Sequence, residues 1–185
     1  MNVDIREIGF SEVLEIIPQR HGDARGFFSE TYNAETWAKL GISLVFMQDN
    51  HSLSVHAGVV RGLHYQLPPH AQDKLVRVVR GRIFDVAVDL RRSSPTFGEW
   101  AGLELSAERG NQLLVPRGFG HGFVTLEANT EVNYKVTLSF APAADRSIWF
   151  DDPAIGIEWP ALDVPFALSD KVRAAPRLCD AEVFP

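Results

Sequence analysis

Apolar and polar residues alternate along Ile83–Leu90, with Phe84, Val86, Val88 and Leu90 on one face and Asp85, Ala87 and Asp89 on the other. A period of two marks a β-strand. Similar short runs recur along the chain. They predict strands at Ile5–Ile8, Val13–Ile17, Phe27–Tyr32, Leu44–Gln48, Val59–Tyr65, Leu75–Val79, Gly102–Ser106, Gln112–Val115, Gly122–Leu126 and Glu131–Phe140. A turn is expected over His21–Gly26, and Gly81-Arg82 sits between two runs like the turn of a hairpin. Helical signals are few. Asn33 is placed to cap a helix over Ala34–Leu40 that Gly41 ends, and Ser169 to cap a short turn near the end of the chain. Many strands, little helix and no βαβ alternation predict an all-β antiparallel sandwich or barrel.

Composition narrows the setting. No repeat, linker or low-complexity tract divides the 185 residues, so one domain over 1–185 is expected, long enough to bury a sizeable core. The net charge of −6 argues against general nucleic-acid affinity, which needs a broad basic surface. Four lysines stand against fourteen arginines, whose planar forks suit phosphate, so a local anion site within an acidic protein stays open. No apolar run approaches a membrane span, and the first residues lack a signal-peptide core. The lone Cys179 excludes an internal disulfide and fits a reducing compartment. A cytoplasmic protein with no membrane partner is the expectation.

Two glycine-punctuated stretches each deliver one histidine: Gly58-Val-Val-Arg-Gly-Leu-His64-Tyr-Gln66, and Gly110-Asn-Gln-Leu-Leu-Val-Pro116-Arg-Gly118-Phe-Gly-His121. They resemble the two motifs of the cupin family, which implies a small jelly-roll barrel. Gly58, His64 and Gly81 fit the first motif, and Gly110, Pro116, Gly118 and His121 the second. Metal-binding cupins hold their ion with three histidines and a glutamate. Here Gln66 stands in place of the second histidine, Thr125 in place of a motif asparagine, and the glutamate is missing. Two histidines make a poor catalytic metal site, so no metal is expected.

The same stretches suit proton transfer. His64 is followed ten residues later by Lys74, and Tyr134 is an inward candidate on a later strand. Histidine titrates near neutrality and suits proton abstraction. An ammonium stabilises the oxyanion that grows when a proton leaves the carbon beside a carbonyl, and a phenol can return a proton. Singly, each residue is more ordinary as packing or surface charge. Together they describe enolisation followed by reprotonation, the chemistry of an isomerase or epimerase.

Longer stretches carry a closer resemblance. They include Asp23-x-Arg-Gly-Phe-Phe28, Gln48-Asp-Asn-His-Ser52, Arg61-Gly-Leu-His-Tyr-Gln66, Lys74-Leu-Val-Arg77, Phe84-Asp-Val-Ala-Val-Asp-Leu-Arg91, Ser94-Pro-Thr-Phe-Gly98, His121-Gly-Phe123 and Asp152-Pro-x-Ile-Gly-Ile-x-Trp-Pro160. On these the chain resembles the dTDP-4-dehydrorhamnose 3,5-epimerases, RmlC-type sugar-nucleotide epimerases of the cupin superfamily. The resemblance implies a cofactor-free homodimer that acts on a dTDP-4-keto-6-deoxy sugar at C3 and C5. It implies His64 as base, Lys74 as the group that steadies the enolate oxygen, and Tyr134 as acid on the opposite face. It further implies Arg25 and Arg61 on the diphosphate. Glu30, Gln48, Asp49, Asn50, His121, Asp145 and Lys171 are implied as substrate-binding positions. N-terminal strands of the family cross to the partner, so Arg25 and Glu30 are expected to serve the neighbouring site.

This sequence departs from the family at three places. The family's tail reads Leu-Ser-x-Lys-Asp, and its aspartate partners the catalytic histidine. Here Leu168-Ser-Asp-Lys-Val172 puts a valine there, and the expectation is that Asp170 or Asp85 takes over or that a weaker dyad suffices. Asp145 stands where glutamate is common, and Phe140 where tyrosine is frequent. Three other readings remain beside the double epimerase. They are an epimerase acting on one carbon of another nucleotide-linked 4-keto sugar, a metal cupin such as a dioxygenase, and a non-catalytic binder of nucleotide sugars. Retention of His64, Lys74 and Tyr134 together speaks against the binder, and the missing ligands against the metal enzyme.

Overall fold

The computed structural model describes residues 3–185 and has an all-β architecture. Two antiparallel sheets face each other. One has six strands in the order β1 (Val3–Ile8), β2 (Phe10–Pro18), β10 (Gln112–Val115), β7 (Lys74–Arg80), β12 (Thr130–Val136) and β5 (Gln48–Ser54). The other has five, in the order β13 (Asp145–Ser147), β6 (Val60–Gln66), β11 (Phe119–Thr125), β8 (Arg82–Asp89) and β9 (Trp100–Ser106). A separate hairpin joins β3 (His21–Asp23) to β4 (Gly26–Phe28). This is the jelly-roll expected from the cupin motifs.

Alternation along the strands builds four layers. Val76, Val78, Leu113, Val115 and Val132 of the six-stranded sheet meet Ile83, Ala87, Ala101, Leu105, Phe119 and Phe123 of the five-stranded sheet between the two. Leu75 and Leu114, one position out of phase, face the other way and pack with Trp37 of helix α1 (Ala34–Lys39). Leu63, Tyr65, Val86 and Val88 likewise point away from the barrel and are covered by Ile148, Ile155, Ile157, Leu178 and Phe184 of the C-terminal segment. At roughly 25 cal/mol per Å² of apolar surface, each such covered leucine or valine contributes about 1.5–3 kcal/mol. The more apolar face of β8 therefore packs outside the barrel, and its inward face carries Asp85.

The structure corrects several sequence expectations. Gly81 is not a hairpin turn: β7 and β8 belong to different sheets, so the chain crosses from one to the other there, with φ +79 at the glycine. A Cβ at Gly81 would also lie 2.4 Å from the Thr130 hydroxyl oxygen. The strand expected over Phe27–Tyr32 ends at Phe28, and the one expected over Leu44–Gln48 begins only at Gln48. Residues around Tyr32, Leu44 and Phe46 are apolar because they join the Trp37 cluster, not because they extend a sheet. Strand β13 carried no recognisable pattern in three residues. Both helix caps are as expected: the Asn33 side chain accepts from the Glu35 and Thr36 amides, and Ser169 from that of Val172 at the start of α2 (Asp170–Arg173).

Candidate active site

A cavity of about 590 Å³ opens inside the barrel, beside the apolar core. Its size falls in the range that holds a small organic ligand. His64 enters from β6 and His121 from β11, directly opposite each other in register. The two strands run unusually close. Gly62 has φ +138, and a Cβ there would lie 2.3 Å from the Gly122 Cα, so only glycine permits this approach. That accounts for the glycines that flank both motif histidines.

Lys74 and Tyr134 stand on the facing sheet. Lys74 pairs with Val136, and Tyr134 with Val76, so the two are diagonal neighbours on the inner face. The Lys74 Nζ donates to the His64 carbonyl oxygen at 3.0 Å, tying the two sheets together beside the cavity. Its burial pushes the ammonium down to about 8, against the attraction of Asp85 and Asp145. Burial also lowers the His64 imidazole to about 3, helped by the charges of Lys171 and Lys74 and opposed by Asp145. His64 is thus neutral across the ordinary pH range, the state a proton acceptor needs. Tyr134 is raised by burial and keeps its proton.

Of the other sequence candidates, Arg61, His121, Asp145 and Lys171 line the cavity. Arg61 is exposed, with its guanidinium donating to the Ser54 Oγ and the Leu53 carbonyl, both at 3.2 Å. Lys171 pairs with Asp145 across the gap between α2 and β13. His121 Nε2 lies 2.6 Å from the Asp85 carboxylate, deep in the barrel. Gln48 and Asn50 pair with Val136 and Tyr134 and share their face of β5, next to the cavity. Their side chains bond to one another at 2.8 Å.

The remaining candidates lie elsewhere. Asp49 is one position out of phase and turns to the other face of β5, where it holds Lys135 at 2.6 Å. Arg25 and Glu30 are not among the cavity's lining residues. Arg25 sits at the tip of the β3–β4 hairpin against Asp23, and Glu30 accepts from Asn33. Neither expected substitute for the family aspartate reaches His64. Asp85 is engaged by His121, and Asp170 is exposed at the start of α2. Val172 lines the cavity wall instead, packed with Val60, Val124 and Phe150.

Ser52, Gln72 and Phe123 also line the cavity and were not singled out from the sequence. Ser52 was legible, because it follows Gln48 and Asn50 at strand spacing; Gln72 lies in a loop and left no signal. At the two positions where this chain departs from the cupin motifs, Gln66 donates to the His70 carbonyl and accepts from the Ala141 amide, and Thr125 donates to the His56 carbonyl. Both side chains are committed to the backbone. Among the described residues, no group of three or more His, Cys, Asp or Glu side chains is arranged to hold a metal ion.

An imidazole and a phenol on facing walls can exchange protons with both sides of one small molecule, and a buried ammonium can stabilise the charge formed between the two transfers. The fold is of the cupin type, and its cavity groups suit acid–base chemistry. Comparison with known proteins then narrows the class. Residues 7–180 match the family model of dTDP-4-dehydrorhamnose 3,5-epimerase, and the chain belongs to that family. The dTDP-4-dehydrorhamnose 3,5-epimerase of Salmonella typhimurium is 52% identical over 171 residues, 92% of each chain. The Legionella pneumophila epimerase in complex with dTDP-4-keto-L-rhamnose superimposes with a TM-score of 0.93 at 43% identity, covering 98% of this chain and 95% of that one. A 3'-monoepimerase of Streptomyces bikiniensis, solved with dTDP-quinovose, gives a TM-score of 0.84 at 35% identity, covering 91% and 84%.

Proposed function

We propose that the protein inverts C3 and C5 of dTDP-4-dehydro-6-deoxy-D-glucose to give dTDP-4-dehydro-L-rhamnose, in dTDP-L-rhamnose biosynthesis, without a metal or other cofactor. The observation that carries this reading is the placement of His64 and Tyr134 on opposite sheets of one cavity. The C4 ketone acidifies the protons at C3 and C5. His64 takes such a proton, Lys74 stabilises the enolate oxygen, and Tyr134 supplies a proton from the other side, which inverts the carbon. Arg61, at the exposed mouth, holds the diphosphate, with Lys171 as a second cation. Gln48, Asn50 and His121 position the nucleotide or the sugar.

The working unit is a single domain, since both sheets draw strands from the whole chain, and it acts as a homodimer. Phe27 and Phe28 are 62% and 67% exposed on the β3–β4 hairpin, and the Arg25 side chain stands almost fully in solvent. That hairpin reaches a partner, bringing Arg25 and Glu30 to the neighbouring cavity. The reaction takes place in the cytoplasm, in keeping with a free cysteine; no helix among the described residues is long and apolar enough to cross a membrane.

One observation favours a second reading, inversion at a single carbon. Val172 leaves His64 without the family's aspartate, and a weaker base would act only on the more acidic position. Proton NMR with dTDP-4-keto-6-deoxy-D-glucose in D2O separates the two. Deuterium at C3 and C5, dependent on His64, together with L-rhamnose-configured product trapped by a partner reductase, establishes the double epimerase. Deuterium at one carbon establishes the monoepimerase, and none overturns both.

A further inference from the structure

The His64 ring is incompletely served. Its Nε2 is buried and has no hydrogen-bond partner. Helix α2 packs on β6, the strand that carries His64, and presents Lys171 and the buried Val172 to the cavity. An imidazole that must accept a proton needs a carboxylate nearby to fix its tautomer and to favour the imidazolium. Among the residues lining the cavity, Asp145 is the one carboxylate.

Strand register brings it within reach. In the pairing of β13 with β6, Ser147 stands opposite His64 and Asp145 opposite Gln66. Asp145 and His64 are therefore diagonal neighbours on the inner face, with Cα atoms on the order of 7–8 Å apart, a span that side chains can close. Asp145 accepts a hydrogen bond from the Lys171 ammonium.

We propose that Asp145 is the positioning carboxylate of His64 in this protein, acting from β13 in place of the aspartate that the family carries on α2. In the free enzyme its carboxylate is held by Lys171. A diphosphate entering past Arg61 draws the Lys171 ammonium toward itself and leaves Asp145 to the imidazole. The other polar groups around the ring are Lys74 on β7, fixed to the His64 carbonyl, and His121 on β11, fixed to Asp85. Neither supplies a free carboxylate. The inference rests on the epimerase reading for its substrate, but the relation between Asp145 and His64 is a property of the chain.

The test uses the full-length protein with dTDP bound, and compares wild type, Asp145→Asn and the double variant Asp145→Asn/Val172→Asp. Long-range nitrogen-15 NMR reads the tautomer of His64, and deuterium exchange into the 4-keto sugar gives kcat and KM. We expect one dominant tautomer in wild type and a mixture in Asp145→Asn. We expect kcat to fall in that variant by up to about a hundredfold, the cost of a misoriented catalytic group. The second substitution, which returns a carboxylate to α2, restores both. An unchanged tautomer in Asp145→Asn overturns the proposal, as does a loss confined to KM or a failure of Val172→Asp to rescue. The NMR reading needs no turnover, so a wild type inactive on this sugar sinks the epimerase reading and leaves the Asp145 test standing.

Discussion

His64 and His121 face each other in register across β6 and β11, yet their rings are in opposite states. The His121 Nε2 is held 2.6 Å from Asp85, whereas the His64 Nε2 has no partner. Two histidines delivered by similar motifs therefore divide the site: one is fixed by a buried carboxylate, and the other is left free to take a proton.

Replacing the free ring removes the base. His64→Ala is expected to lower deuterium incorporation into the 4-keto sugar by about 10²–10⁴-fold, the usual contribution of a positioned base. The fold should persist, as checked by far-UV circular dichroism. Exchange within tenfold of wild type would assign the base elsewhere.

Lys74 should set the alkaline limb of activity. Its ammonium is the form that stabilises an enolate, and burial brings it down to about 8. kcat/KM is expected to fall as pH rises through about 8, and Lys74→Arg should move that limb beyond the measurable range. A profile flat to pH 10 in wild type would exclude Lys74 as the stabilising cation.

Tyr134→Phe separates removal of the proton from its return on the other side. His64 still enolises the substrate, so deuterium continues to enter from one face. Inverted product, trapped by a partner reductase, is expected to drop on the order of a hundredfold. Loss of exchange and inversion in equal measure would show that Tyr134 acts before the enolate forms.

Buried neutral His64 also links stability to pH. Its folded value, about 3, lies below the ordinary 6.5, so the unfolded chain binds the extra proton between these limits. Stability should be fully present above about pH 6.5 and decline as pH falls toward 3. His64→Gln should flatten this part of the curve, as measured by urea unfolding at several pH values; an unchanged slope would place the acid sensitivity in other groups.

Asp85 is expected to matter for folding as well as for the site. It is fully buried, with His121 as partner. Asp85→Ala leaves that ring nitrogen without its acceptor and should cost about 1–3 kcal/mol in urea unfolding. A loss under 0.5 kcal/mol would mean that the pair is dispensable to the fold.

Much of this protein was legible in the chain because local physics wrote it there. Period-two alternation marked most strands, Asn33 and Ser169 marked the helix caps, and the glycine spacing around His64 and His121 pointed to a barrel. Runs that owe their apolarity to packing instead of pleating, such as Leu44–Phe46 against Trp37, misled the strand reading. Phase within a strand was readable in principle, and it separates Asp49 from Gln48 and Asn50 once the inner face is known.

Tertiary structure decided which face is inside. The apolar side of β8 turns outward because the C-terminal segment covers it, and that leaves Asp85 in the barrel beside His121. It also decided that Gly81 crosses between sheets, and that Asp145, from a three-residue strand with no pattern of its own, lies diagonal to His64. Alternation specifies two faces for a strand, but which one is buried, and what stands opposite it, depends on contacts between residues far apart in the chain.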